Sequence, residues 1–431
     1  MRMEGAGSGL VAGARWRRAA AGALVAAAVA VDVAATWLLA GALGATNDLF
    51  PRWYGARAWL LDGLDPYSSQ VDDGIRQAMG GAPGEGLGAF VFGFVYPGYV
   101  ALLLAPLAVL PFRVAATIWL LAAQVAVCLG TALVWRMAGD PAPASPARPA
   151  GRAASLPLGV IAAAVLFPGS LLNLAFGQFA ALVYLALAAG CWLLGRGRPR
   201  WAGVVVALAL VKPSVALLPS AALLVHAVWW RRWRFALTWA VAVLLLLAAS
   251  LVALPDWPAA FWRSTVDYAR VASAMSAAGL LAAVVGPADP QGRALLTVLI
   301  GAGALAAAAW GWARSLRRPA DTLGAAILAG SWLVPPLYEW NSLLLLAPLL
   351  LRLSPAATGR LARRLVWVCL GAAFLLSLVA VAARPFESRL LWPAIALFLW
   401  SLPAVPAGER QPGTKNVTER AGTSPSVPAA T

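Results

Sequence analysis

Residues 19–40 read AAAGALVAAAVAVDVAATWLLA, an apolar run of about the 20 residues that cross the hydrocarbon core of a bilayer. Similar runs recur as far as Pro403, with short polar breaks between them. Of the 431 residues, 61% are hydrophobic and 12% are charged. Since such a chain cannot cover itself with a water-facing surface, we predict an all-α polytopic membrane protein with about 11–13 transmembrane helices.

Basic residues mark the ends of these runs. They cluster within residues 15–18, 196–200, 231–234, 314–318 and 360–364. Such clusters stay on the cytoplasmic side, so we expect a cytoplasmic N-terminus and a first span that runs outward. The net charge of +16 therefore reports topology. It does not indicate nucleic-acid binding, which would need the basic residues gathered on one soluble face.

The composition also indicates a location. Lys212 and Lys415 are the only lysines among the 33 basic residues, and alanine, glycine and proline are abundant. This bias is typical of a GC-rich bacterial genome. We therefore expect a multi-pass protein of the bacterial inner (plasma) membrane.

The polar segment after the first span is the most unusual part of the chain. It begins NDLFPRWYGARAW at residue 47, and residues 41–94 hold six of the 17 acidic residues. We predict that 41–94 form a large first extracytoplasmic loop with an interfacial helix at 51–64, whose aromatic residues suit the headgroup boundary. Residues 1–404 then form one transmembrane domain, and the polar residues 405–431 a disordered tail.

Two later features decide the predicted topology. Residues 201–230 lie between two basic clusters with Lys212-Pro213 in their middle, so we predict two half-spans that meet at Lys212 near the outer side. Crossings at both 96–110 and 114–135 would put Arg136 outside, against the charge rule. One of the apolar runs must therefore be re-entrant, and we favour 156–174.

Asp48 is the leading candidate for chemistry. A carboxylate at the exit of a membrane helix can act as a general base, and Arg52, four residues later, can bind an anion. The alternative is a solvated acid that pairs with Arg52 or Arg57. Lys212 can neutralise a departing phosphate, or it can be a side chain that reaches the interface from a helix break.

Other polar residues in the apolar part receive structural interpretations. Asp32 lies in the outer half of the first helix, where a hydrogen bond to a neighbouring helix is at least as good an explanation as function. His226 precedes a basic cluster and is interpreted as structural. The amphipathic outer segment after Leu254 carries Trp257 and Trp262, which indicate membrane anchoring, with a lid over a lipid donor as the alternative.

Several short motifs follow one another along the chain. They are Asp48 with Trp53-Tyr54-Gly55-Ala56-Arg57-Ala58, Gly63-Leu64-Asp65-Pro66-Tyr67, Phe94-Val95-Tyr96-Pro97 with Ala105-Pro106-Leu107, Gly177-Gln178, and Arg196-Gly197-Arg198 followed by Ala202-Gly203 and Lys212-Pro213. In this order they resemble the motifs of glycosyltransferase family 87. The resemblance implies an integral-membrane enzyme of the GT-C fold. It also implies a polyprenyl-phosphate sugar donor, often carrying mannose, and inversion of the anomeric centre.

The resemblance implies a role for each candidate residue. Asp48 is the predicted catalytic base, and Arg52, Arg57 and Lys212 are the predicted contacts of the donor phosphate. The predicted contacts of the sugar or acceptor are Tyr54, Tyr96, Gln178, Glu339 and Asn341. No metal ligand and no cofactor is predicted, although a divalent cation beside the phosphate stays open. The expected partners are the polyprenyl-phosphate sugar, a lipid or envelope-glycan acceptor and membrane lipids.

Two alternatives remain open. A transporter or lipid flippase would call for an internal repeat and ionisable residues near the bilayer midplane. No repeat is seen, and apart from Asp32 and Lys212 the apolar runs carry almost no charge. A catalytically dead GT-C relative is the second alternative, because the family often has Ser-Pro followed by Trp and His where residues 335–341 read PPLYEWN. The same departure leaves the donor sugar open.

Overall fold

A computed structural model describes residues 6–80, 93–139, 157–271, 276–287, 289–313, 318–334, 339–353, 371, 375 and 388–401. Every regular element within these ranges is helical, which confirms the all-α prediction. The α-helices are α1 (Ala6–Leu43), α2 (Leu49–Asp62), α3 (Ser69–Ala78), α4 (Gly98–Ala108), α5 (Phe112–Gly139), α6 (Leu158–Val165), α7 (Pro168–Ala175), α8 (Ala180–Gly195), α9 (Pro199–Leu208), α10 (Pro213–Trp229), α11 (Trp233–Ala253), α12 (Trp257–Val271), α13 (Ala277–Val285), α14 (Pro290–Ala313), α15 (Pro319–Leu333), α16 (Leu346–Leu353) and α17 (Ser388–Ser401). Three 3-10 helices, Gly44–Thr46, Ala209–Val211 and Glu339–Leu345, adjoin them.

Four described helical stretches are long and apolar enough to cross a bilayer: Ala19–Thr46, Phe112–Gly139, Trp233–Ala253 and Pro290–Trp310. The bent pair α6 and α7, with 52° between its members, makes a fifth if it is one span. Shorter apolar helices of 10–17 residues surround them. The chain is thus a polytopic membrane protein, whereas the number of 11–13 spans stays a prediction. The predicted tail at 405–431 lies outside the described residues.

Helices α1 and α5 run antiparallel, which fixes where α5 begins. Arg113, at the start of α5, donates from Nε and Nη2 to the Trp37 carbonyl oxygen over 3.3 and 3.2 Å. Three turns further along α5, the Gln124 amide satisfies both of its ends when its nitrogen is assigned to face Asp32. The nitrogen then donates to Asp32 Oδ2 at 2.7 Å, and the oxygen accepts from Thr36 at 3.1 Å. Asp32 therefore makes a hydrogen bond to a neighbouring helix, the structural one of its two interpretations, and α5 starts on the side where α1 ends.

Helix α4 stays on that same side. Its 11 residues span about 16 Å, roughly half of the hydrocarbon core. It packs along α2, whose Trp53 Nε1 donates to the Leu107 carbonyl oxygen at 3.0 Å and whose Arg57 Nη1 donates to that of Ala108 at 2.9 Å. Just before α4 begins, the Tyr67 hydroxyl donates to the Tyr96 carbonyl oxygen, so both ends of α4 lie beside the first loop. The run that does not cross is therefore α4, so Arg136 lies on the side of the N-terminus, as the charge rule requires.

The segment we favoured as re-entrant forms the bent pair α6 and α7, and its 52° bend fits both a broken span and a re-entrant loop. Helix α6 packs against α5, and α7 follows it after a bend at Pro168. At the end of α7, the Ala175 carbonyl oxygen accepts from Asn47 Nδ2 at 3.3 Å, so α7 ends beside the first loop. The re-entrant prediction for 156–174 therefore stays a prediction.

Local signals placed the boundaries nearest the site. Lys212 separates the 3-10 helix Ala209–Val211 from α10 and has a non-helical backbone (φ −129°, ψ 82°), with Pro213 at the first position of α10. The predicted break at Lys212 is confirmed. The predicted interfacial helix at 51–64 is α2, which ends at Gly63 with a φ of +66°. Asp65 then accepts from the Tyr67 amide at 3.0 Å and closes the turn.

Two groups of buried residues hold the site. The larger connects α5, α8, α9, α10, α15 and α16. The smaller connects α2, α4 and α5 to the start of α8 and includes Tyr96, Trp119 and Phe179. The amphipathic helix α12 joins this smaller group through Trp257, whereas Trp262 on the same helix is 69% exposed. The candidate site lies where the two groups meet.

Candidate active site

Four polar side chains from distant parts of the chain form one hydrogen-bonded row, which we call the polar cluster: Asp48, Gln178, Lys212 and Asn341. Lys212 Nζ donates to Gln178 Oε1 at 2.8 Å and to Asn341 Oδ1 at 2.9 Å. Gln178 Nε2 in turn donates to Asp48 Oδ2. The row therefore runs from an amide through an ammonium and a second amide to a carboxylate.

Arg52 adds a second cation beside the polar cluster. It lies one turn after Asp48 on α2 and donates from Nη1 to the Asp48 carbonyl oxygen. Its guanidinium lies over the Tyr96 ring, 4.5 Å from the centroid, and 5.5 Å from that of Phe179. Among the described residues, Arg52 Nε is buried without a hydrogen-bond partner. A buried N–H left in this state favours an anion beside it.

The members of this site differ in how deeply their side chains are buried. Arg52 and Lys212 are each 7% exposed and Gln178 is 3% exposed, whereas Asp48 and Asn341 are only half-buried. Both Asp48 and Arg52 act electrostatically on Lys212. Among the described side chains the site therefore holds two buried cations and one carboxylate, and the carboxylate is the charge that a substrate hydroxyl can reach.

A tight turn at Gly177 places Gln178 in the row. Gly177 has a φ of +59°, which lets the chain turn sharply from α7 into α8. Trp119 Nε1 donates to the Gly177 carbonyl oxygen at 3.0 Å. On its other side the turn contacts Asn47, whose Oδ1 accepts from the Leu49 amide at 2.8 Å at the start of α2. The turn thus ties Gln178 to the helix that carries Asp48 and Arg52.

We expect Gly177→Ala to unfold at a lower temperature and to lose activity. A Cβ at this position would collide with Asn47 Oδ1, and the positive φ alone costs an alanine about 1–2 kcal/mol. Thermal unfolding in detergent measures the first effect. Gly195→Ala is the matched control, because Gly195 ends the helix that follows and has no atom within 4 Å of a new Cβ. Equal unfolding temperatures for the two variants would contradict the role of the turn.

Comparison with known families identifies the chain. A model of glycosyltransferase family 87 matches residues 94–336, more than half of the sequence. The chain belongs to this family. Comparisons with curated proteins and with solved structures gave no match. Membership shows a membrane glycosyltransferase in general terms, and it confirms the resemblance seen in the motifs.

The family 87 match covers only part of the site. Tyr96, Gln178 and Lys212 lie within residues 94–336, whereas Asp48 and Arg52 precede this range and Asn341 follows it. The fold brings Asp48, Arg52 and Asn341, which lie outside the matched range, into contact with the three residues inside it. Among the described residues, no three histidine, cysteine or acidic side chains lie together in a way that could hold a metal ion.

The remaining predicted site residues lie elsewhere. Arg57 donates to the Ala108 carbonyl oxygen, and its guanidinium lies 5.4 Å from the Trp53 ring centroid, so its contacts are with α4 and α2. Tyr54 stacks on Phe50 and reaches Gly74 of α3 with its hydroxyl. Glu339 opens the 3-10 helix that carries Asn341, but its side chain lies outside the described part of the chain. The structure thus does not bring Arg57 and Tyr54 into the polar cluster.

Sequence reasoning missed three residues that hold the site in place. Asn47 ties the start of α2 to α7, Trp119 holds the Gly177 carbonyl, and Phe179 packs against both Tyr96 and Trp119 with ring centroids 5.1 and 4.7 Å apart. Asn47 precedes Asp48 and Phe179 follows Gln178 in the sequence, and this adjacency was the signal that could have identified them. Trp119 gave none, because a tryptophan in an apolar run looks like core.

His226 is accounted for by a structural role. It is 5% exposed, and its Nδ1 lies 2.9 Å from Thr322 Oγ1. Thr322 Oγ1 also accepts from Trp312 Nε1 at 3.0 Å. The threonine hydroxyl can then donate to His226 Nδ1, which joins α10 to α15.

Proposed function

We propose that this chain transfers a sugar from a polyprenyl-phosphate donor to a hydroxyl group of a lipid or envelope glycan. The observation that carries the proposal is the pairing of two buried cations with one half-buried carboxylate. Buried charge is costly unless it is paired, and a single carboxylate does not balance both cations. An anionic donor would supply the missing charge. A sugar phosphate linked to a lipid meets that need at a site formed by membrane helices.

The reaction is a single displacement at the anomeric carbon. Asp48 takes the proton of the acceptor hydroxyl, and the hydroxyl oxygen forms a bond to the anomeric carbon from one face. The bond from that carbon to the phosphate oxygen breaks on the opposite face, so the configuration inverts. The bonding electron pair stays with the polyprenyl phosphate, which leaves as an anion.

The two cations stabilise this leaving group. Lys212 uses two of its three N–H donors within the polar cluster, and the third has no partner among the described residues. Arg52 offers its unpartnered Nε–H, and its guanidinium geometry suits phosphate oxygens. Because both are fixed by neighbouring contacts, little reorganisation is needed as negative charge develops. Tyr96 and Asn341 are the proposed contacts of the sugar.

The proposed location follows from the topology. Asp48, Gln178 and Lys212 lie on the side of the protein where α1 ends, and the basic N-terminal cluster favours the cytoplasm for its other end. The active site then faces the extracytoplasmic side of the bacterial inner membrane. A lipid-linked donor is the sugar donor that could be held there by the membrane itself.

Donor choice tests this proposal. The purified protein in lipid vesicles is offered radiolabelled polyprenyl-phosphate hexoses and, in parallel, nucleotide sugars, with a crude envelope-lipid extract as acceptor. We expect transfer from at least one polyprenyl-phosphate sugar and none from nucleotide sugars. Transfer from nucleotide sugars alone would contradict the proposal. No transfer from any donor would instead favour a chain that keeps the fold without catalysis.

A further inference from the structure

The hydrogen-bond partners of Gln178 fix the direction of its amide. A lysine ammonium has three donors and no acceptor, so the atom that lies 2.8 Å from Lys212 Nζ has to be the amide oxygen. The amide nitrogen of Gln178 then points at Asp48 Oδ2. Lys212 thereby determines that Asp48 receives a hydrogen bond on this oxygen.

This arrangement makes the two oxygens of Asp48 unequal. Oδ2 accepts the amide hydrogen on one of its lone pairs, while Oδ1 accepts no hydrogen bond from the described residues. Oδ1 is thus the oxygen left to accept a proton from a substrate.

Gln178 also keeps Lys212 and Asp48 apart. The described ion pairs do not include these two residues, although their charges interact. A direct contact would hold the carboxylate in a strong charge-assisted pair and engage the ammonium that the phosphate needs. With an uncharged amide between them, each charge stays available for its own step.

We propose, on the basis of the function above, that Gln178 is a positioning residue that links Lys212 to Asp48 and leaves Oδ1 as the reacting oxygen. It does not act as the sugar contact that the sequence suggested. Both ends of its amide are engaged within the protein, and 3% of the residue is exposed. Little of this side chain is therefore accessible to a substrate.

Gln178→Glu tests this role through the pH dependence of the rate. Glutamate has nearly the same shape, but it places a second carboxylate beside Asp48. Two adjacent carboxylates cannot both ionise easily, so one proton is retained to higher pH. We expect the acidic limb of the pH–rate profile to move upward by about one pH unit or more, with recovery of rate at alkaline pH. An acidic limb at the wild-type position in the folded variant would overturn the proposal.

A second measurement decides the matter even if Gln178→Glu does not fold. The rates of Gln178→Met, Lys212→Met and the double variant form a cycle. If Lys212 orients Asp48 through Gln178, the rate of the double variant falls by clearly less than the product of the two single fold-losses. Both changes break the same hydrogen-bonded row, so the second change adds little. Multiplicative losses would mean that the residues act independently and would overturn the proposal.

These tests are separate from the test of the function itself. If Asp48→Asn is inactive while Gln178→Glu keeps the wild-type pH profile, Asp48 remains the base and only the role of Gln178 fails. If Asp48→Asn keeps full activity, the proposed function fails first. The two results require different variants, so one failure cannot be mistaken for the other.

Discussion

Asp48→Asn reduces sugar transfer by about 10²–10⁴-fold, the usual contribution of a positioned general base. The asparagine keeps the size of the side chain and can still accept from Gln178 through its amide oxygen, but it cannot take a proton from the acceptor. Initial rates with a polyprenyl-phosphate sugar measure the loss. Because Asp48 is half-buried and caps no helix amide with its side chain, we expect the variant to fold normally.

Asp73→Asn is the matched control. Asp73 lies on α3 in the same loop, its side chain is 70% exposed, and it pairs with Arg76 over 3.0 Å. An exposed ion pair of this kind contributes little to stability, so the rate of this variant should match that of the wild type. Similar losses in the Asp48 and Asp73 variants would show that the loop needs its negative charge in general and not a base at Asp48.

Lys212→Met is the second variant with a large expected effect. In the proposed mechanism it removes a cation that faces the leaving phosphate, and it also removes the ammonium that donates to Gln178 Oε1 and Asn341 Oδ1. Removing one preorganised donor from a charge-stabilising site costs about 10²–10³ in kcat. Lys212→Arg keeps the charge in a different shape, so its rate should lie between those of the methionine variant and the wild type.

The split between kcat and KM shows how Lys212 acts. A group that stabilises the leaving phosphate in the transition state lowers kcat when it is lost. If Lys212→Met raised KM and left kcat unchanged, Lys212 would only bind the donor. Such a result would contradict its role in the chemical step.

The sequence predicted the elements that depend on local signals. The turn after α2 follows from Gly63 and Asp65, and the break before α10 follows from Lys212-Pro213, since glycine permits the left-handed backbone and proline starts a helix. The predicted bounds of α2, 51–64, each lie two residues after the observed bounds, Leu49–Asp62, because the helix starts directly after Asp48. Helix α3 escaped prediction even though Ser68 caps it.

The topology near α4 could not be read from hydropathy. The run is apolar, and only its contacts with the first loop, at Tyr96 as well as at Leu107 and Ala108, show that both of its ends lie on one side. Such contacts are tertiary and leave no trace in a hydropathy profile. The resulting correction also removes the conflict between Arg136 and the charge rule.

The composition of the site was only partly predictable. Asp48 and Gln178 are 130 positions apart, and Lys212 and Asn341 are 129 apart, so their contact depends on the whole fold. Helical geometry, however, distinguishes the two loop arginines. Arg57 follows Arg52 by five residues and so points about 140° away from it around α2, which agrees with its contacts to α4.

A single-turnover experiment separates donor binding from catalysis by Asp48. The wild-type protein and Asp48→Asn, each in excess over a labelled polyprenyl-phosphate sugar, are followed for donor binding and for a single turnover with acceptor. We predict that both proteins bind the donor with similar affinity, that the wild type forms a product with the inverted anomeric configuration, and that the variant forms it at least about 100-fold more slowly. Product formation by Asp48→Asn at the wild-type rate, or retention of configuration by the wild type, would contradict the account.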